Sequence, residues 1–350
     1  MAGAHGLTAL LYRGLKRACP DLVPPAILRG LRARVRQHAA EGLLLAGELL
    51  RVLNLLEEDR IQAVPFKGPV LSALAYGDAT IREFGDLDIL VRWPDAQRAR
   101  AVLMSHGFTS ENKAGFPLHR HYGLTHPESH AHVELHWRVS ALHFASSIDY
   151  RGLWGRLQPL SFLGANVPCL APQDLLAILC EHGLVHCWDR LIWICDLAWL
   201  IWSQPQADWG SIIESATGSR RRQRPVFLGL CLAHQLLGTP IPERIKPKMD
   251  ADRLLEPLAA FIRQRILFAG PDAIDLPDRC LFHLRAAESL RDKMLYSVGI
   301  VCKVCTPDMH DQAAVLLPGV LHFLYYPIRL IRLTLTLVRW AVRQFLRRDS

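Results

Sequence analysis

The 350-residue chain exceeds the size at which a single hydrophobic core usually stops growing, so two domains or one enlarged domain are expected. Half of its residues are apolar and 21% are charged, which excludes an intrinsically disordered chain. The formal charge of +8 suits a polyanionic partner, be it a nucleotide, a nucleic acid or an anionic lipid surface, without choosing among them.

Residues 1–60 read as a helical lead. Its clearest helix runs over 38–59, with Leu43, Leu44, Leu50, Leu53 and Leu56 on the apolar face. The cationic clusters at 29–36, 220–224 and Arg347-Arg348 read as solvated faces.

Residues 61–150 read as a compact strand-and-helix core. A short apolar strand over 62–66 leads into Lys67-Gly68-Pro69 and a helix over 70–76, with Pro69 at its first position. A strand, then glycine, then a helix leaves backbone N–H groups facing the loop, an arrangement that favours phosphate, and Lys67 adds a positive charge beside it. Next comes Asp86-Leu87-Asp88-Ile89-Leu90-Val91. In a strand Asp86 and Asp88 share one face, their Cα atoms ~6.5 Å apart, while Leu87, Ile89 and Val91 enter a core. Two carboxylates that close repel unless a cation lies between them, and hard oxygen ligands suit Mg²⁺. Arg82 precedes the pair and either meets a triphosphate or pairs with an acid.

A helix over 95–106, stopped by Gly107, is followed by a weak strand over 117–126 and a turn over 126–129. The run 130–137 alternates polar and apolar residues. Val133, Leu135 and Trp137 point to the core, and His132, Glu134 and His136 to the opposite face. Glu134 is a third carboxylate for the aspartate pair, to ligate metal or to accept a proton from an attacking hydroxyl. The His132–Glu134–His136 set also admits a zinc reading.

From Pro172 onward helical spacing dominates, so 151–350 is expected to be a helical domain that receives the substrate or partner. His182 and His186 share one helix face, bordering the active-site cleft or buried in the core. Asp196 lies in an apolar helix and needs a cation, for which Arg190 is a candidate. The nine cysteines lack paired spacing, the usage of a reducing compartment, and Cys302-x-x-Cys305 with His310 is an incomplete zinc pattern. The N-terminus lacks a secretory pattern, so a cytoplasmic protein is expected. The segment 320–348 carries Arg329, Arg332, Arg339, Arg343 and Arg347. It is interrupted too early for a membrane span, leaving a helix packed on the domain with its arginines in solvent, or one lying on the inner membrane surface.

Taken in order, Lys67-Gly68, Arg82, Asp86-Leu87-Asp88-Ile89-Leu90-Val91 and Glu134-Leu135-His136-Trp137 resemble the uncharacterised nucleotidyltransferase family of bacterial genomes, within the DNA polymerase β-like superfamily. The segments 179–188, 190–198 and 324–329 resemble its helical half. The resemblance implies an α+β fold: a small mixed-sheet nucleotidyltransferase core with an N-terminal helical lead and a large helical C-terminal half. It implies an enzyme that moves a nucleoside monophosphate from an NTP such as ATP to an acceptor, with two Mg²⁺ ions and release of pyrophosphate. Asp86, Asp88 and Glu134 would be the catalytic and metal residues, with Lys67, Gly68 and Arg82 holding the nucleotide. His132, His136, His182 and His186 would border the acceptor, which could be a small molecule, a peptide or RNA. A departure from the pattern is Pro69, where a second small residue is usual; it removes one phosphate-facing N–H. The alternatives are a non-catalytic nucleotide-binding or scaffold module and a toxin-like transferase acting on tRNA.

Overall fold

The structure is a computed structural model and describes residues 2–110, 120–140, 144, 146–218, 222–268, 274–307, 311, 315 and 317–346. Helix α1 (Thr8–Ala18) packs along α2 (Pro25–Glu58), a 34-residue helix that is ~51 Å long. Only the C-terminal half of α2 meets the core, through a stripe of Gly42, Ala46, Leu49, Leu53 and Leu56. Leu43 and Leu44, expected on that face, are 51% and 76% exposed, because they stand one and two steps of ~100° around the helix from Gly42. Arg29, Arg32, Arg34 and Arg36 on the N-terminal half are solvent-exposed, as the charge pattern suggested.

The sheet combines β1 (Ala63–Pro65), β2 (Asp86–Val91), β3 (Thr109–Ser110), β4 (His121–Thr125) and β5 (His132–His136), in spatial order β1-β2-β5-β4-β3. The β2–β5 pair is parallel and the other pairs are antiparallel. Helix α3 (Gly68–Tyr76) links β1 to the segment before β2, and α4 (Ala96–Ser105) follows β2. One sheet face buries Leu87, Ile89, Val91, Val133 and Leu135 against Leu49 and Leu56 of α2 and Ala99 and Leu103 of α4. Because side chains alternate along a strand, this burial fixes Asp86, Asp88, His132, Glu134 and His136 on the opposite face.

A hairpin of β6 (Gln158–Phe162) and β7 (Ala165–Cys169) closes that core with Phe162 and Val167. It corrects the expectation of a helical domain from 151. Its two-residue turn sets Leu163 at φ 48° and Gly164 at φ 82°, so a leucine occupies a site where Asn or Asp would have advertised the turn.

The remaining chain is helical: α5 (Pro172–Val185), α6 (Leu191–Trp202), α7 (Trp209–Thr217), α8 (Arg224–Leu237), α9 (Lys246–Asp250), α10 (Leu255–Phe268), α11 (Leu276–Ala286), α12 (Leu290–Cys305) and α13 (Tyr325–Leu346). Its core centres on the fully buried Trp188 with Leu176, Ile194, Leu197 and Leu228. All nine cysteines are free thiols, and His310 lies outside the described residues. The arginine row of α13 does not simply face solvent. Arg332 Nε donates to Oδ1 of the buried Asp311 at 2.7 Å, and Arg329 Nε donates to the Val304 carbonyl at 2.8 Å. The side chains of Arg339 and Arg343, and all of Arg347, fall outside the described residues. Among the described residues no helix is long and apolar enough to cross a membrane.

One polar knot joins the sheet to the helices. Asp196 of α6 is fully buried and accepts from Arg82 Nε at 3.0 Å on each oxygen and from the Tyr76 hydroxyl at 2.8 Å. Arg82, not Arg190, is therefore the partner of Asp196. Asp196→Ala leaves a buried guanidinium without its counter-charge, and urea unfolding should show a loss of about 3–5 kcal/mol. Tyr76→Phe, which removes one bond to the carboxylate, should cost about 1–2 kcal/mol. A loss under about 1 kcal/mol for the alanine variant would contradict this knot as the tie between the halves.

Candidate active site

The register of β2 on β5 sets Asp86 opposite His132, Asp88 opposite Glu134 and Leu90 opposite His136. Parallel partners project to the same side, so two acids from β2 and one from β5 stand together. They floor a cleft of about 640 Å³ whose other walls come from the segment before β2 and from α5 and α6.

His136 is the hinge of the acid cluster. Its Nε2 lies 3.1 Å from Asp88 Oδ1 and 2.9 Å from Glu134 Oε2, while its Nδ1 faces the Arg138 carbonyl at 3.3 Å. Lys67, the N-cap of α3, brings its Nζ to 3.4 Å from Asp88 Oδ2. Gly68 follows at φ 59°, where a Cβ would stand 3.4 Å from the Asp86 carbonyl; glycine lets the start of α3 lie this close to β2. His121 of β4, register partner of His136, places Nε2 3.8 Å from Glu134 Oε1.

The charges differ sharply in consequence. Burial and the neighbouring Asp88 raise the carboxyl of Asp86 above its ordinary value. Burial would raise Asp88 too, yet Lys67 and the hydrogen-bonded His136 outweigh it and hold that carboxyl far below the usual range. For Glu134, burial is overcome by the His136 hydrogen bond and by His121, which bring it to about 2. His136, which burial would lower, is raised by its two carboxylate partners. His121 is depressed to about 4 by burial and by His136.

The facing wall is built around two histidines, with Asp189 and Arg190 beside them. His182 and His186 lie with ring centroids 4.6 Å apart, and Trp193 of α6 stands edge-on to His182 at 4.8 Å. Burial pushes His182 well below its ordinary value, with Lys67 adding to the effect. Burial and Arg120 take His186 to about 3. Both imidazoles are thus neutral at neutral pH.

The structure gathers Lys67, Gly68, Asp86, Asp88, His132, Glu134, His136, His182 and His186 in or beside one cleft. Arg82 also lines it, but of its two expected roles the pairing one is seen, since its Nε is committed to Asp196. Lys67, expected to meet phosphate, is paired with Asp88 instead. His132 reaches Thr125 Oγ1 at 3.1 Å, and the residue whose ligand atoms cluster with those of Glu134 and His136, all within 4.8 Å, is His121. That replaces the His132–Glu134–His136 set of the zinc reading. His121 carried one signal in the sequence, a histidine opening a weak strand, but only the β4–β5 register reveals whom it faces.

Residues 1–238 match the family model described as uncharacterised nucleotidyltransferase, a span that covers the sheet, the cleft and α5 to α8. Similar solved structures include the solution structure of the antibiotic-resistance factor ANT(2'')-Ia, at 14% identity and a TM-score of 0.30, covering 63% of this chain and 92% of that one. Another is the crystal structure of an antigenic nucleotidyltransferase-like protein from Paracoccidioides brasiliensis, at 16% identity and a TM-score of 0.34, covering 59% of this chain and 92% of that one. Curated proteins give no significant match.

A raised carboxyl means that folding disfavours ionised Asp86: stability is lost as pH rises from the ordinary carboxylate value through the raised one, and it stays lost at pH 7. Asp86→Asn removes that charge at nearly constant shape. In buffer containing a chelator, the variant should melt above the wild type at pH 7, and the gap should narrow toward pH 4 and close below it, where the ordinary carboxyl is protonated too. A variant melting below the wild type at pH 7 would show that Asp86 is stabilised rather than repelled.

Proposed function

Because the chain belongs to the uncharacterised nucleotidyltransferase family, we propose that it transfers a nucleoside monophosphate from an NTP to a hydroxyl-bearing acceptor, releasing pyrophosphate. The observation that carries this reading is the convergence of Asp86, Asp88 and Glu134 on one sheet face at the floor of the cleft. The donor set fits the divalent ions that such chemistry uses: the oxygens are hard, they come from rigid strands, and the burial and Asp88 repulsion that raise Asp86 are what a cation between the carboxylates would offset. Asp86, Asp88 and Glu134 would hold Mg²⁺, which supplies neutralisation of charge on the reacting phosphate and the attacking oxygen.

The chain's own groups divide the remaining work. Lys67, already against Asp88, carries a positive charge at the acids and would turn it to the β- and γ-phosphates. Gly68 keeps the start of α3 free of a side chain where those phosphates would lie, and Pro69 contributes no N–H there. Arg82, held by Asp196, adds a fixed positive charge to the cleft wall and orients the segment that delivers Asp86. As the acceptor oxygen bonds to the α-phosphorus and the bond to the bridging oxygen breaks, Glu134 would take the acceptor's proton and pyrophosphate would leave. His182, His186 and Trp193 form the facing wall. Neutral imidazoles there can hydrogen-bond a hydroxyl acceptor without drawing the phosphates away from the metal side.

Incubation with α-labelled NTP and a cell extract, followed by detection of label on an acceptor and of free pyrophosphate, tests the reading. Asp86→Asn and Asp88→Asn should each lower transfer about 10³-fold or more while circular dichroism stays unchanged, since removing a metal-holding carboxylate sacrifices several kcal/mol at the transition state. Label transfer that survives in the double variant would refute it.

A further inference from the structure

The acid cluster does not consist of oxygens alone. The ligand atoms of His121, Glu134 and His136 all lie within 4.8 Å of one another, and Asp88 Oδ1 stands 3.1 Å from His136 Nε2. Four donors around a Zn²⁺ ion at 2.0–2.1 Å would be ~3.3 Å apart along each edge of a tetrahedron. The separations here are 2.9 Å from His136 Nε2 to Glu134 Oε2, 3.1 Å to Asp88 Oδ1, and 3.8 Å from His121 Nε2 to Glu134 Oε1. The two separations to His136 Nε2 are close to such an edge, and His121, whose ring stands on the neighbouring strand, would have to draw in toward Glu134 to complete the set.

A second, independent feature concerns how His136 is held. Its Nδ1 faces the Arg138 carbonyl at 3.3 Å and can only donate to it. That bond places the Nδ1 proton and turns Nε2 toward the carboxylates, the support by which proteins orient a ligating imidazole. Carboxylates cannot donate to Nε2, so a cation, whether a proton on the ring or a metal ion, has to lie between them. The surroundings make the arrangement rigid. His121 and His136 are register partners on paired strands, and their rings approach to 4.8 Å between centroids. Phe66 closes on His136 edge-on at 5.3 Å.

We propose that His121, His136, Glu134 and Asp88 form a binding site for a borderline-soft divalent transition-metal ion of the Zn²⁺ class. The site shares Asp88 and Glu134 with the proposed function and rests on their reading as cation ligands. Two imidazole donors are the reason for the metal class, because nitrogen ligands favour Zn²⁺ and its neighbours, whereas Mg²⁺ takes oxygen. Asp86 contributes nothing to this donor set and is left to an oxygen-only ion. The cleft would then hold two unlike positions: one of oxygens around Asp86 and Asp88, and one bearing nitrogens at the β4–β5 end.

Isothermal titration of the chelator-stripped full chain with Zn²⁺ and with Mg²⁺, together with visible absorption after loading Co²⁺, tests this directly. Zn²⁺ should bind about 100-fold or more tightly than Mg²⁺, and Co²⁺ should give the intense visible bands of a low-coordinate nitrogen–oxygen site. His121 is partly exposed, so His121→Ala should fold, which circular dichroism verifies. Because losing even an outer-shell partner lowers metal affinity 10–100-fold, losing a direct ligand should lower Zn²⁺ affinity by at least about 100-fold. Asp86→Asn should hold Zn²⁺ within about threefold of wild type. Equal affinity for Zn²⁺ and Mg²⁺ in the wild type, or Zn²⁺ affinity unchanged in His121→Ala, would show that a ring proton alone fills the gap and would overturn the site. Absence of NTP transfer with the Zn²⁺ results intact would sink the functional proposal and leave the metal site standing.

Discussion

Asp196 is the point on which the rest of the molecule depends. It lies in α6, in the helical half, yet its two partners, Tyr76 and Arg82, bracket the segment that enters the aspartate strand. The same segment is gripped elsewhere. Ser72 Oγ accepts from the Arg82 amide at 3.1 Å and donates to the Asp78 carbonyl at 2.6 Å, and Glu83 accepts from the Thr8 amide at the start of α1 at 2.7 Å. Residues 78–85 are thereby fixed from three sides before Asp86 begins β2. A charge as deeply buried as Asp196 stabilises a fold only while every partner is in place, so this knot specifies how sheet and helices meet more than it adds to net stability.

The cleft that results has two walls of opposite character. On the sheet side, acids are gathered against their own repulsion and are held by groups the chain supplies, the Lys67 ammonium on Asp88 and the His136 imidazole between Asp88 and Glu134. Asp86 gains least from them, and its raised carboxyl records the residual strain. On the helical side, burial lowers the basicity of His182 and His186, whose rings and Trp193 stand beside Asp189 and Arg190.

Much of the site was legible because alternation in a strand is rigid. Once Leu87, Ile89, Val133 and Leu135 are read as core, the facing of Asp86, Asp88 and Glu134 follows with no further information. The turn at Gly107 and Pro69 at the head of α3 were equally plain, since each is a local demand on the backbone. What escaped was set by distant contacts. Arg82 could have met a phosphate or an acid until α6 brought Asp196 to it, and Arg190 looked as good a partner from sequence spacing. His121 acquired meaning only through a strand register, and the 163–164 turn was hidden by its leucine. Leu43 and Leu44 misled because periodicity marks a face without saying how far the core extends along a helix.

The long helix α2 has a consequence of its own. His38 stands on the rim of the cleft, and the exposed Arg36, Arg34, Arg32 and Arg29 precede it on the same rod, the last ~13 Å along. At physiological ionic strength a surface charge is felt over about 8 Å, so the outermost of these arginines is screened from the cleft entrance. If the cleft receives the nucleotide proposed above, its capture would weaken as salt is added.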